Sequence, residues 1–262
     1  MKRILIFVAA VLPVWAQEHI PVPLADPGRP ASVSIHLAQG GVVVRGYSGR
    51  EVVVDTKGGT ASGAPETTKD GLHRIGGTAN DVSIESENNK VVISSHTLRG
   101  GELTVQVPMN TSVNVKTMSG GQLSIEGVTG DIDAQNLNGP VTIRNVSGTV
   151  VAHSMNGSVT VTMTSVKSGS PMSFSSMNGT IDVSLPANVA ANFSMKTNHG
   201  EIYSDFDVQM RTPPPPIVEK SESNKGKYKV KTEGAVVGSV NGGGPEIKFT
   251  TMNGNIYIRK MK

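Results

Sequence analysis

The sequence predicts an all-β fold: a single-domain β-solenoid, parallel β-helix-like, of roughly 18–22-residue coils with Asn-Gly and Ser-Gly corners. Three observations carry this prediction. Gly121, Gly130, Gly139, Gly148 and Gly157 stand nine residues apart, and the phrase they open runs glycine, polar, apolar, polar, apolar. The apolar places recur with the period of two that belongs to a strand with one buried face. The 262-residue chain also holds 30 glycines, one tryptophan and no long helical pattern. Such a composition suits thin repeated layers better than one thick core.

The phrase reads Gly130-Asp131-Ile132-Asp133-Ala134, then Gly139-Pro140-Val141-Thr142-Ile143, and more loosely Gly148-Thr149-Val150-Val151-Ala152. Counting from each glycine, the inward places hold Leu123 and Ile125, Ile132 and Ala134, Val141 and Ile143, Val150 and Ala152, and Val159 and Val161. Asp131, Asp133, Gln135, Pro140, Thr142, Arg144, Ser158, Thr160 and Thr162 face out. Two residues before most glycines stands another apolar residue (Val128, Leu137, Val146, Met155), expected to turn inward at a corner. Asn precedes glycine at Asn138-Gly139 and Asn156-Gly157, whereas Thr or Ser does so at Thr129-Gly130 and Ser147-Gly148. The larger unit is therefore about eighteen residues, two strands and two corners. Asn tolerates left-handed backbone and glycine adopts it without penalty, which suits a tight corner. Ordinary Asn-Gly hairpins would instead need antiparallel neighbours. The regular double unit favours a coil in which each strand pairs with its equivalent one coil away.

The phrase returns, with insertions, at Met177-Asn178-Gly179-Thr180-Ile181, at Thr197-Asn198-His199-Gly200 and at Met252-Asn253-Gly254-Asn255-Ile256. Gly40 to Val44 and Glu51 to Val54 read as the first coil. Val105-Gln106-Val107-Pro108 is echoed by Val183-Ser184-Leu185-Pro186. The C-terminal Arg259, Lys260 and Lys262 are expected to protect the last open coil.

Residues 1–16 read as a signal peptide: Lys2-Arg3, an apolar run from Ile4 to Val14, and a small-x-small site cleaved after Ala16. The run is too short for a membrane anchor, the competing reading. Residues 17–30 are then an N-terminal linker and 31–262 the solenoid domain, with excursions at 57–80 and 211–234. Without cysteine, neither a disulfide nor a lipid-attached cysteine is possible. The expected location is periplasmic, cell-envelope or secreted, with no membrane span after signal removal. Loss of Lys2 and Arg3 takes the 24 basic residues to 22 against 21 acidic ones, a net of +1. That balance argues for no nucleic acid or anionic membrane as partner. In the second excursion, Pro213-Pro214-Pro215-Pro216 reads as a stiff spacer, or as a ligand for a proline-binding partner. Lys227, Lys229 and Lys231 read as an edge strand, with a nucleic-acid patch as the sharper alternative.

No phosphate-binding loop, zinc-type histidine pair or nucleophile elbow is present. No catalytic residue, cofactor or metal is expected. Asp131 and Asp133, outward on one strand near Glu126, form the best carboxylate pair, but Thr149 and Val151 replace them one coil later. His153 faces outward and His199 lies in a glycine corner; either could meet a metal or simply be solvated. A Ser124, Thr142 and Thr160 stack is interrupted by Asp182 and Tyr203. Asn138, Asn156, Asn178 and Asn253, with Gly130, Gly139, Gly148, Gly157, Gly179 and Gly254, are expected to form a structural corner ladder of stacked amides. Leu137, Met155, Met177 and Met252 are expected to form a core column.

Val33-Ser34-Ile35, Val42-Val43-Val44-Arg45-Gly46-Tyr47, Leu103 to Pro108 and the glycine-spaced strands together resemble the bacterial putative-adhesin domain family. That family is a domain of unknown function expected to form a β-solenoid. The resemblance spans about residues 30 to 260 apart from the two excursions. It implies a non-enzymatic secreted or envelope protein that binds a surface, an unknown protein or a glycan, and it supplies no catalytic residues. A purely structural envelope role is indistinguishable from this by sequence. The alternative is a polysaccharide-active β-helix enzyme using the outward carboxylates Asp131 and Asp133.

Overall fold

The computed structural model describes residues 18–57, 82–96, 98, 101–119, 121–167, 169–211, 217–220, 228–231 and 234–261. The leader at 1–16, nearly all of the first excursion and Pro213 to Pro216 lie outside the described residues. Among the described residues there are 23 strands and no helix, hence none long and apolar enough to cross a membrane.

The strands run β1 (Glu18–Pro23), β2 (Ser32–Gln39), β3 (Gly41–Tyr47), β4 (Glu51–Lys57), β5 (Val82–Glu87) and β6 (Lys90–Ser95). Next come β7 (Glu102–Pro108), β8 (Ser112–Ser119), β9 (Leu123–Glu126), β10 (Ile132–Asn138), β11 (Val141–Val146) and β12 (Val150–Asn156). Then follow β13 (Val159–Met163), β14 (Met172–Asn178), β15 (Ile181–Leu185), β16 (Ala191–His199), β17 (Ile202–Ser204) and β18 (Gln209–Arg211). The last are β19 (Ile217–Lys220), β20 (Tyr228–Lys231), β21 (Val236–Val240), β22 (Glu246–Asn253) and β23 (Ile256–Lys260).

They form two mixed sheets of mostly parallel strands, and neither closes into a barrel. One has ten strands in the order β1-β4-β7-β3-β9-β11-β13-β15-β23-β17. The other has eleven, β18-β21-β16-β22-β14-β12-β10-β8-β2-β6-β5. From β8 to β15 the chain alternates between the sheets, and each strand pairs in parallel with its equivalent in the next repeat: Ile132 with Val150, Val141 with Val159. The Lys-rich alternation in the second excursion forms β20, antiparallel to β19 in a separate two-stranded ribbon.

The places read as inward are buried. Leu123, Ile125, Ile132, Ala134, Val141, Ile143, Val150, Ala152, Val159 and Val161 join one continuous hydrophobic cluster drawn from both sheets. Their burial is the main stabilising term of so thin a structure.

Several expectations need correction. Leu137, Met155, Met177 and Met252 are exposed rather than a core column. β10 keeps strict alternation through Asn136, so the inward place goes to Asn136 and Leu137 must point out, before the exposed Asn138 ends the strand. At the other corner Val128 and Val146 are buried. There Gly127 (φ 70°) and Asn145 (φ 53°) are left-handed, and the register slips between Ile143 and Val146, resetting the phase. Thr142 is only 7% exposed, because Gln122 Nε2 reaches over to donate to its hydroxyl at 3.2 Å. Residues 18–23, within the expected linker, form β1, antiparallel to β4, with Val22 buried.

The largest departure concerns order. Gly40 to Val44 and Glu51 to Val54 do not form a first coil: they give β3 and β4, both in the ten-stranded sheet with β7 between them, while β3 lies between β9 and β7 and β2 between β8 and β6. Likewise β22 and β23 do not end the stack, so the basic C-terminus protects no open coil. β22 lies between β14 and β16, and β23 between β15 and β17. Both crossings follow the echoed Pro-turns, where Thr111 N donates to Pro108 O and Val189 N to Pro186 O, each at 3.0 Å. After each turn the chain skips one slot, which a strand remote in sequence fills. The outer edges are β1, with Pro21 and Pro23, then β5 and β18, all antiparallel to their neighbours, and the three-residue parallel β17.

Candidate functional site

Three surface features can be built from the residues upward. The first holds the sequence-nominated carboxylates. Asp131 and Asp133 face out beside a groove of about 470 Å³ whose walls include Ser112, Asn114, Thr149 and Lys167. All four carboxylate oxygens have partners. Thr149 N donates to Asp131 Oδ1 at 3.2 Å, and Lys167 Nζ lies 3.7 Å from Oδ2. Gln135 Nε2 donates to Asp133 Oδ1 at 3.1 Å and Asn114 Nδ2 to Oδ2 at 3.0 Å. The pair thus braces β10 to the strands on either side. Val151 lies beside Asp133, while His153 lies beside Gln135 and shares a 2.8 Å contact from Nδ1 to Ser175 Oγ. Among the described residues no three His, Cys, Asp or Glu side chains converge as a metal site.

The second feature is the asparagine corner. Asn156 Nδ2 donates to Asn138 Oδ1 and Asn178 Nδ2 to Asn156 Oδ1, each at 2.8 Å; Asn253 Nδ2 donates to Asn178 Oδ1 at 2.7 Å. Asn138 closes the chain on Met118 O at 3.1 Å. Beneath runs a buried column that sequence reasoning missed. Asn136 Nδ2 donates to Gly121 O at 3.1 Å, Ser154 Oγ to Gly139 O at 2.9 Å, Ser176 Oγ to Gly157 O at 2.9 Å and Thr251 Oγ1 to Gly179 O at 3.0 Å. Each side chain satisfies a corner carbonyl one coil away. The corners stack so closely that a Cβ on Gly157 would overlap the carbonyl of Gly139, and one on Gly179 the carbonyl of Gly157.

The third lies at the β17 end of the ten-stranded sheet. Tyr203 on β17 and Tyr257 on β23 are direct partners, and their rings stack at 5.2 Å and 7°. β17 is the edge strand, and among the described residues no further rung covers the other side of Tyr203, which is 47% exposed. The polar surround is held in place. The Tyr203 hydroxyl donates to Glu201 Oε2, which pushes the phenol above its usual range, through this bond first and the carboxylate charge second. Asn255 Nδ2 donates to the Tyr257 hydroxyl at 3.1 Å and Asn255 Oδ1 accepts from Glu201 N at 3.0 Å. The Arg259 guanidinium lies 5.2 Å from the Tyr257 centroid and donates from Nε to Asp182 Oδ1 at 2.8 Å, which raises its pKa further. A flat aromatic face with fixed polar neighbours can stack on the apolar face of a ring or on a planar cation. Sequence reading saw Tyr203 only as an interruption. The signal lay in Gly200-Glu201-Ile202-Tyr203 and Gly254-Asn255-Ile256-Tyr257, one phrase with tyrosine at the same place.

No protein-family model matches the chain, and no curated protein does. Solved structures similar to it include that of a putative cell adhesion protein from Clostridium sporogenes ATCC 15579, at 9% identity and a TM-score of 0.48, covering 94% of this chain and 100% of that one. Another is a putative adhesin from Bacteroides fragilis NCTC 9343, at 12% identity and a TM-score of 0.42, covering 95% of this chain and 99% of the other.

Proposed function

We propose that this chain is a non-enzymatic β-solenoid of the cell envelope or cell surface that binds a glycan or protein, an adhesin-like role, through the β17 end of its ten-stranded sheet. The solenoid reading is supported by in-register parallel pairing at offsets of 18 and 22 residues, seen in the asparagine bonds. The location is supported by the leader-like residues 1–16. One observation carries the binding role: a stacked tyrosine pair whose outer face lies at the open edge of a stiff ladder.

The experiment is a glycan array together with capture of envelope components by the purified chain. A ligand should be retained, and Tyr203→Ala should weaken it at least tenfold with an unchanged thermal melt. No retained ligand, alongside a deletion strain with normal adhesion and envelope integrity, removes the reading. Retention untouched by Tyr203→Ala moves the surface elsewhere. The groove beside Asp131 and Asp133 supports the alternative, a polysaccharide-active enzyme. Turnover of an acidic glycan that collapses in Asp131→Asn would replace binding with catalysis.

A further inference from the structure

We propose that Met155, Met177 and Met252 bind a soft monovalent cation, copper(I) or silver(I), through their thioether sulfurs. β12, β14 and β22 are consecutive in the eleven-stranded sheet and parallel. The three methionines are bracketed by Ser154, Ser176 and Thr251 on one side and Asn156, Asn178 and Asn253 on the other, all paired in register. They therefore form one row across three rungs. Their exposures are 37%, 42% and 42%, so the core does not use them. The backbone at this place does not demand an apolar residue either. Asn198 fills it on β16, where Thr197 and His199 pair with Thr251 and Asn253.

Neighbouring rungs lie about 4.8 Å apart. A methionine carries its sulfur on three rotatable bonds, so sulfurs on adjacent rungs can turn toward a common point above Met177. Thioethers are neutral, polarizable donors that select copper(I)-like ions over magnesium, calcium or manganese, which take oxygen. The adjoining column offers hard ions little. The Oδ1 atoms of Asn138, Asn156 and Asn178 each already accept an amide hydrogen bond. Leu137 occupies the next rung toward β8 and separates the trio from Met118, so the row contains its own control.

Silver nitrate in chloride-free buffer is the probe, with calorimetry and the ε-methyl resonances of ¹³C-labelled methionine as readouts on the full chain. One ion should bind per chain, moving the resonances of Met155, Met177 and Met252 but not those of Met109, Met118 or Met210. Met177→Leu keeps the volume and leaves methionines only on two rungs whose backbones lie about 9.6 Å apart, with no sulfur on the rung between. It should weaken binding at least tenfold. Met252→Leu leaves an adjacent pair and should weaken it less, and Met118→Leu should not matter. Equal affinity in Met177→Leu and Met118→Leu, or equal movement of every exposed methionine in the unaltered chain, overturns the site. The methyl readout needs no variant to fold.

Discussion

The middle of the molecule and its two ends are built from the same rung but assembled differently. Between β8 and β15 each rung leans on one that is 18 to 22 residues away. At the C-terminal end Asn178 meets Asn253 across 75 residues, and at the other end Ser119 Oγ bonds Ala38 O across 81. Lengthening a closure from 22 to 75 residues costs only about 1 kcal/mol in chain entropy. In return, β2 and β3 near one end of the chain and β22 and β23 near the other are flanked on both sides, which should oppose fraying, although β1 stays at an edge. The core differs as well. The inner column is small in the middle, at Ala134 and Ala152, and then aromatic, where Phe249 stacks on Phe174 at 5.4 Å and meets Phe193 edge-on at 5.6 Å. The middle is local and thin; the C-terminal end is remote and tied together by a residue from the last coil.

The harshest way to break this comparison is to delete residues 246–262. That empties the slot between β14 and β16, and the whole region from β16 to β21 should lose its protection in hydrogen exchange, with the cooperative melt gone. A shortened chain that melts within a few degrees of the full one would mean the last coil is a removable cap. Next come two point changes of similar size in the two regions. Phe249→Ala should cost about 3–5 kcal/mol in chemical denaturation. Val141→Asp, an unpaired charge in the middle core, should cost roughly 3 kcal/mol or more. Only the first should loosen the two ends of the aromatic cluster without touching β8 to β12, which exchange rates would resolve. Thr142→Asp, at a buried site where Thr142 accepts from Gln122, falls below both at about 1–3 kcal/mol rather than being neutral.

A finer cut compares the two columns of one corner. Ser176→Ala removes a buried donor to Gly157 O and should cost about 1–3 kcal/mol, whereas Asn178→Ala, on the wet side, should cost about 1 kcal/mol or less. Equal losses would mean the corner is held by its surface amides. The smallest effect is a titration. The Tyr203 phenol is pushed above its ordinary value, about 10, so its proton stays on in the folded state to higher pH. The stabilisation is present below pH 10 or so and fades as pH rises through the folded value. Absorbance at 295 nm should show one late-ionising tyrosine, returned to the ordinary range by Glu201→Gln.

What could be read from the residues was whatever repeats locally. Period-two alternation and glycine spacing gave the inward residues from Leu123 to Val161 and placed Asp131 and Asp133 outside, because both signals lie within a few residues. The direction of Leu137 and Met155 was not legible from hydrophobicity. It depends on whether the strand runs unbroken into its corner or is reset by a left-handed residue such as Asn145. Two partners of the carboxylates, Lys167 in the loop after β13 and Asn114 on β8, are remote in sequence and leave no local trace. Interleaving left one clue: the phrase Met-Asn-Gly at 155–157, 177–179 and 252–254 marks three rungs that are neighbours in space, while Asn198-His199-Gly200, earlier in the chain, breaks it. Tyr203 and Tyr257 meet only because of that interleaving.

The outer strands carry a final consequence. A ladder of in-register parallel rungs is, chemically, a template for adding another rung, and a second copy would supply one. Among the described residues, three of the four rims of the two large sheets run the wrong way for that, one of them with prolines that lack a donor, and the fourth is only three residues long. Among the described residues these rims are therefore poor templates for a further in-register parallel rung, which works against end-to-end growth of the stack into a fibre.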